Sequence, residues 1–581
     1  MSRELSVQFD RIIKTPTQFP LDTGLLEVTV SNSGDSFVYG TSLNLYASTD
    51  TVLDDNLPDR FRRLDAGILN TNDDKLPGTN INVLQGTDEL LGRIAGITLA
   101  PGESKKLTID FASDNFRTPS VVSPGAYNLI AEIDPFNAVV ETNEVDNDAI
   151  QFISTVNTDQ VLDWNSVFLN IVQAEGKADL ANGVNLTDSE IPGIAPTLEA
   201  RNGAILHLAV YDAVNAIKGS THEPYLPDLK APALGSASAS AATIGAAYTV
   251  LSELFPKYHK VLDTQLSRSL GELKGPIPFT TQGFNFGVSV ANKLLDLRAD
   301  DGSAEAQVPY EAGNPLRPGE YTERVGIDAF TGELSGNSSL HPRWGEVTPF
   351  ALDDLEDFSP DGPPKFGTPQ FSALIDEVAE LGARFDTATT DITRTEDQTE
   401  IAQFWAYDRI DTFRPPGQLY EVAQDVALQE GNTLEENALL FAQLSTAFAD
   451  ASIVAWDAKY DFEQARPINS VRELLDPEWR PLLNTPPFPD YISGHSTFGG
   501  VAATVLENFF GDDVSFDVTS QELPGVIRHY STVGELSSFD QIALEDANSR
   551  LYGGVHNSNA NFDGVATGIA VADYILENHF L

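Results

Sequence analysis

The sequence predicts a multidomain protein, with a β-sandwich over residues 1–155 followed by a mainly α-helical domain over residues 156–581. Three observations carry that reading. At 581 residues the chain exceeds one ordinary domain and calls for roughly two to four. Hydrophobic residues make up 41% and mean hydropathy is -0.17, ordinary for a folded, soluble chain, with no apolar run read as long enough to cross a bilayer. Most decisive is the apolar period, which changes from strand-like to helix-like near Leu162.

In the first part, LLEVTVSNSG, TSLNLYAST, KKLTIDF, GAYNLIAEID and NAVVETN alternate apolar with polar residues between Gly, Pro, Asn and Asp turns. Short strands at that spacing make a sandwich. In the second part helical spacing predicts helices over Val161 to Val172, Leu198 to Ile217, Ala241 to Leu254, Thr281 to Leu297, Phe371 to Leu381, Thr399 to Ala406 and Thr433 to Gln464, and others following His495 and Gly564. Between them, residues 300–365 are rich in Pro, Gly and Asp. So long an irregular stretch either lines a site or is a surface excursion.

The formal charge is -51, from 86 acidic and 35 basic residues, which repels polyanions and argues against nucleic acid as a partner. Such acidity suits solubility in salty surroundings. An anion site in this field needs its few Lys and Arg residues concentrated locally. Absence of cysteine excludes disulfides, thiolate metal sites and cysteine nucleophiles while leaving the compartment open. The start, MSRELSVQFDRIIK, has no secretory apolar core, so the protein is either cytoplasmic or exported through a leader outside this sequence.

Candidate chemistry centres on Phe488 to Gly500, FPDYISGHSTFGG. Phe498, Val501, Ala502, Val505 and Phe509 give one apolar helix face up to Gly511, which puts Ser493, Gly494 and His495 at the helix N-terminus. Free N–H groups and the positive dipole end point there, and Gly494 has no side chain to block an oxyanion. The plainer reading is a Ser N-cap with a chance histidine. Lys459 and Arg466, seven residues apart, fall within about 20° on a helix, with Trp456 near the same stripe. Alone, they would equally be a solvated basic edge. Arg550 and His556 are poorly phased for one helix, but Gly553 and Gly554 can break it and turn His556 back from a loop. Asp408, in FWAYD, offers a carboxylate to orient an arginine.

In this order, K-x6-R-P, SGH and S-R-x5-H closely resemble the vanadium-dependent haloperoxidases and the related phosphatidic-acid-phosphatase-type acid phosphatases. FWAYD, WDAKYDFEQARP and FPxYxSGH resemble the fungal chloroperoxidase branch. The resemblance covers most of the helical domain and implies two four-helix bundles with the site between helices. It implies vanadate as cofactor, with hydrogen peroxide, a halide and a small organic acceptor as reaction partners. Carried over by position, Lys459, Arg466 and Arg550 neutralise the oxyanion, Ser493 and the Gly494 amide complete its hydrogen bonds, and His556 is the metal ligand. His495 becomes the acid–base group, Asp408 pairs with Arg550, Lys459 polarises bound peroxide, and Trp456 and Phe488 line the halide pocket. The aromatic Phe488 implies chloride competence with bromide also used.

Two departures stand out. Ile492 replaces the usual Pro, and the segment after His556, NSNANFD, is longer than the family's four-residue step from His to Asp. An acid phosphatase would use the same pocket, with His556 as nucleophile and His495 as leaving-group acid. In the first part, Tyr46 to Asp50, Leu99 to Glu103, Asp134 to Asn137 and Glu141 to Glu144 resemble the immunoglobulin-like CARDB modules of adhesion-related bacterial proteins. That implies a cell-surface or protein partner, and opens a third reading, an adhesion protein with an inert helical domain. The Asp- and Asn-rich turns there suit either calcium or plain turn chemistry. Histidines 207, 222, 259, 341, 529 and 579 match no ligand position and are expected to be structural or exposed.

Overall fold

The computed structural model describes residues 4–14, 24–48, 88–111, 126–134, 139, 148–154, 159–181, 193–310, 319–322, 326–327, 334–335, 339–523, 526–534 and 536–581. It divides into two compact units, Met1–Thr158 and Asp159–Leu581.

The first unit holds β1 (Leu5–Lys14), β2 (Gly24–Asn32), β3 (Val38–Ser48), β4 (Asp88–Leu99), β5 (Ser104–Phe111), β6 (Ala126–Ile133) and β7 (Asp148–Ser154). They form two antiparallel sheets, in the orders β1-β2-β5 and β4-β3-β6-β7. Period-two alternation dictates the layering: Leu26, Val28 and Val30 of β2 and Leu129, Ala131 and Ile133 of β6 bury their side chains in one shared core. Each buried Val, Leu or Ile contributes about 1.5–3 kcal/mol, so a charge at Val28 would open the sandwich. Of the turns considered for calcium, 49–50, 135–138 and 141–147 lie outside the described residues. The Asp134 carboxylate takes Thr41 Oγ1 at 3.1 Å and the Val139 N–H at 2.7 Å.

The second unit is mainly helical: α1 (Gln160–Ala181), α2 (Pro196–Lys218), α3 (Ala239–Leu254), α4 (His259–Glu272), α5 (Ile277–Arg298), α6 (Pro369–Gly382), α7 (Glu396–Phe404), α8 (Arg414–Glu430), α9 (Leu434–Phe462), α10 (Pro467–Leu474), α11 (Gly494–Phe510), α12 (Ser538–Tyr552) and α13 (Ser558–Asn578). Short strands β8 (Gly326–Ile327), β9 (Leu334–Ser335), β10 (Phe516–Thr519) and β11 (Ile527–Tyr530) complete the described elements. Helix α9 is the axis. A Thr433–Glu436 capping box starts it, and it packs against α2, α11 and α13. It is also a correction to the hydropathy reading: by length and composition α9 could cross a membrane, but 94% of its most apolar window is buried inside the protein, as befits a core helix.

Helices α4, α8, α10 and α12 extend the predicted set, and α13 starts at Ser558 rather than after Gly564. Helix α8 opens with Arg414-Pro415-Pro416-Gly417, residues that read as a breaker but fit a first turn, whose N–H groups need no helical partner. Close backbone approach joins α11 to α13: a Cβ on Gly568 would sit 2.1 Å from Thr497 O. Their N-terminal ends, which carry the SGH motif and the residues after His556, are thereby held side by side.

Within 300–365, residues 339–352 pack on α9. Leu340 O accepts from Trp456 Nε1 at 3.2 Å and from Tyr460 OH at 2.7 Å. The Asp450 carboxylate clamps the N–H groups of Phe350, Ala351 and Leu352 at 2.6–2.9 Å. This part of the irregular stretch therefore covers the α9 face that bears Trp456.

Candidate active site

Lys459 stands on the last turn of α9, but Arg466 does not share that helix. The helix ends at Phe462, Glu463 adopts a left-handed conformation with φ 49, and Arg466 is the extended N-cap of α10. The helical-phase argument for this pair is thus replaced by a chain reversal, which nonetheless brings both cations to one Phe488 ring. Lys459 Nζ lies 4.9 Å and Arg466 Cζ 4.7 Å from its centroid. Trp456 packs against the same ring at 5.2 Å, so both residues predicted for a halide pocket adjoin Lys459.

Ser493 caps α11 through its Oγ, which accepts from the Ser496 N–H and from Ser496 Oγ at 2.9 Å, leaving its own O–H free to donate. The N–H groups of Gly494 and His495 find no acceptor among the described residues. The missing Gly494 side chain makes room for Trp456: a Cβ there would sit 3.1 Å from the indole. The close approach that the sequence reading assigned to an oxyanion is here taken by a ring.

Helix α12 ends at Tyr552, and Gly553 and Gly554 turn the chain back. Gly554 has φ +72, and its Cβ would lie 2.4 Å from Gly382 O, so the turn requires glycine twice over. His556 then sits in the loop before α13, with Nε2 2.9 Å from Arg466 Nη1. Arg550, on the last turn of α12, donates to the Asp408 carboxylate and to Ala406 O at 3.3 Å. His495 Nε2 lies 2.9 Å from the same Ala406 carbonyl, so it carries the proton and Nδ1 is the basic atom of the ring. Segment 406–408 thus braces the arginine and the histidine together.

The structure therefore gathers Lys459, Arg466, Ser493, Gly494, His495, Arg550 and His556 around one buried locus, with Asp408, Trp456 and Phe488 as neighbours. Its electrostatics follow from burial beside cations. Burial first, then Arg466, pushes the Lys459 ammonium well down; burial lowers Arg466 to about 10. Burial and the neighbouring Arg466 and Lys459 push His556 well down, and burial with Arg550 lowers His495 to about 3. Both imidazoles are neutral and keep a lone pair. Burial alone would raise Asp408, but Arg550 and then Arg414 outweigh it and hold the carboxyl below its usual range, although its side chain remains 29% exposed.

Two donors at this locus stand open. Arg466 Nη2 and Arg550 Nε are buried without a hydrogen-bond partner. Orphaned guanidinium donors inside a protein are rare and unfavourable, and with the free N–H groups of Gly494 and His495 they suit a compact oxyanion. Lys459 is less open: its Nζ is held by the carbonyls of Pro489 at 3.1 Å, Asp490 at 3.3 Å and Ile492.

One residue went unremarked in the sequence. Asp490, inside FPDYISGH, is fully buried with Oδ1 2.6 Å from His556 Nδ1. No local pattern announces it, because its partner lies 66 positions further along the chain. Of the remaining histidines, His207 and His341 are buried and packed on aromatic rings, while His529 pairs with Asp517 at the surface. A cleft of about 510 Å³ between α7, β11 and α12 is separate, lined by Arg528, Tyr530 and Glu545 and by none of the residues gathered around the buried locus.

Comparison with known proteins gives the pocket its family. The model of the vanadium chloroperoxidase N-terminal domain matches residues 150–321, and that of the VCPO second helical-bundle domain matches 439–580. The chain belongs to the vanadium chloroperoxidase family. A CARDB model matches residues 4–151, so this vanadium haloperoxidase family member carries an N-terminal β-rich CARDB region ahead of its helical domain. The vanadium chloroperoxidase of Curvularia inaequalis is 26% identical over 501 residues, spanning 69% of this chain and 78% of that one. A bacterial vanadium-dependent iodoperoxidase structure is 25% identical with a TM-score of 0.59, covering 72% of this chain and 97% of its own. A holo-type bacterial vanadium-dependent chloroperoxidase shares the fold at 15% identity and a TM-score of 0.52, over 69% and 96% of the two chains. The family binds vanadate, and haloperoxidases act on peroxide and a halide.

Proposed function

We propose that this protein binds vanadate in the pocket described above and oxidises chloride and bromide with hydrogen peroxide to hypohalous acid, which halogenates organic acceptors. The observation that carries the reading is the pair of orphaned donors, Arg466 Nη2 and Arg550 Nε, beside a neutral His556 whose Nε2 keeps its lone pair. Vanadate, when bound, supplies a Lewis-acid centre that activates peroxide toward halide. Arg466, Arg550 and Lys459 would neutralise its oxygens, the Ser493 hydroxyl and Gly494 N–H would donate to it, and His556 Nε2 would hold the metal. His495 Nδ1 takes and returns a proton, its ring aimed by the Nε2 bond to Ala406 O. Asp408 keeps the Arg550 fork oriented. Trp456 and Phe488 exclude water from the halide's approach to Lys459.

We further propose a domain boundary near residue 155, an immunoglobulin-like first module that meets a protein or cell-surface partner, and two four-helix bundles in the helical domain. The last is supported by the two helix groups that share α9, one through α2 and one through α11 and α13.

Halogenation of an activated diketone and hydrolysis of a phosphate ester, each with and without added vanadate, test the activity together. Halogenation that requires both vanadate and peroxide is expected. Ester hydrolysis that vanadate only inhibits, with no halogenation, would replace this reading by a phosphatase with His556 as nucleophile.

A further inference from the structure

A histidine binds a metal through the unprotonated ring nitrogen, and whatever faces the other nitrogen decides which one that is. For His556 two contacts agree. Arg466 Nη1, always a donor, lies 2.9 Å from Nε2, which must therefore be bare. Asp490 Oδ1 lies 2.6 Å from Nδ1. That approach is bent, so neither atom meets the direction an ideal hydrogen bond takes. An imidazole whose Nε2 is bare carries its proton on Nδ1, and that proton faces the Asp490 carboxylate.

We propose that Asp490 is the positioning residue that fixes His556 in its Nδ1–H tautomer and so presents Nε2 to the oxyanion pocket. The inference rests on the vanadate reading for its purpose, but not for its geometry. Asp490 is suited to the task because it is fixed on every side. Its N–H donates to Gln464 O at 2.9 Å and its carbonyl accepts from Lys459 at 3.3 Å. Its Oδ2 accepts from Asn557 Nδ2 at 2.6 Å and from the Asn557 N–H at 3.4 Å. Asn557 directly follows His556, so the carboxylate grips the loop and the ring together.

The two Asn557 donors make the isosteric substitution informative. In Asp490→Asn the amide oxygen must face Asn557, so the NH2 group faces His556 and donates to Nδ1, inverting the tautomer and protonating Nε2. Asp490→Ala merely releases the ring. The conservative variant should therefore be the more damaging one, an order that loss of packing would reverse. Histidine ring 15N shifts in the vanadate-free full chain, assigned with His556→Gln, report the tautomer, and vanadate calorimetry reports affinity. The wild type is expected as Nδ1–H and Asp490→Asn as Nε2–H, with vanadate affinity lowered about 100-fold by Asn and about 10-fold by Ala. Adding Asn557→Asp to Asp490→Asn turns the amide oxygen back toward His556 and should recover part of the loss. A wild-type ring protonated on Nε2 overturns the proposal without any variant, as does an Asn variant that matches the wild-type tautomer or binds no worse than Ala. If the wild type takes up no vanadate, the vanadate reading falls, and the ring signals alone decide the role of Asp490.

Discussion

Two groups of arginines in the helical domain, buried except for a half-buried Arg201, show how a satisfied site differs from one with open donors. Between α2 and α5, Arg201 donates to Asp301, to Asn202 Oδ1 and to Arg298 O, while Arg298 donates to Asp301 and to the carbonyls of Thr348 and Pro349. Each nitrogen of both forks has an acceptor. At the other site Arg466 and Arg550 each keep one nitrogen bare, next to a third cation and two neutral imidazoles. The first arrangement is complete and ties helices together. The second leaves donors that an anion would satisfy, as the proposed binding site requires.

The contrast is sharpest where an open group does chemistry. His495→Ala is expected to retain vanadate and lose about 10²–10⁴-fold in halogenation rate, because it removes the proton carrier and leaves the anion's donors. His556→Ala should lose vanadate itself. Equal loss of vanadate in both variants would merge roles that the geometry separates.

Exchanging each arginine for methionine tests the comparison directly. Arg298→Met should lower folding stability by about 3 kcal/mol or more, since it leaves buried acceptors unpaired, while vanadate affinity of the folded protein stays unchanged. Arg466→Met should weaken vanadate by about 100-fold with a smaller stability change, because a crowded cation leaves along with its bonds. Chemical denaturation and calorimetry on the two variants give both numbers, and a reversed pattern would remove the distinction.

How much of this was legible in the sequence varies by residue. Ser493, Gly494 and His495 were readable because apolar periodicity after them fixes a helix start, and the Gly553-Gly554 turn was readable because glycines punctuate. Lys459 and Arg466 were paired for the wrong reason: no local pattern announces the left-handed Glu463 that ends α9 early. Asp490 was invisible because its meaning lies in a partner 66 positions away in the chain, His556. Helix α8 was hidden by Pro-Pro-Gly in its first turn, where tertiary burial outweighs local propensity.

A buried group outside the pocket should also behave differently with pH. His207, packed on Phe441 at 4.9 Å, is lowered by burial to about 3. With its folded value depressed, the unfolded chain binds the extra proton first. Its contribution is therefore intact above about pH 6.5 and is lost as pH falls toward the folded value, at about 1.4 kcal/mol per unit. Relative to His207→Leu, the wild type should lose roughly 3 kcal/mol between pH 6.5 and 4. Parallel stability curves for the two proteins would mean that His207 is already charged or solvated.

Phe488→His is expected to give the smallest effect, a severalfold fall in the ratio of chloride to bromide turnover, because it brings a polar ring between Lys459 and Arg466. Turnover with each halide at several pH values measures it, and an unchanged ratio would reduce Phe488 to packing.

Calorimetric titration of vanadate into the vanadate-free protein tests the open-site account most directly, with a thermal melt at each end point. One vanadate per chain is expected, with stabilisation of about 2.7 kcal/mol at a hundredfold excess over the dissociation constant, preserved in Arg298→Met and abolished in His556→Ala. No heat and no stabilisation in the wild type, or equal binding by His556→Ala, would contradict it.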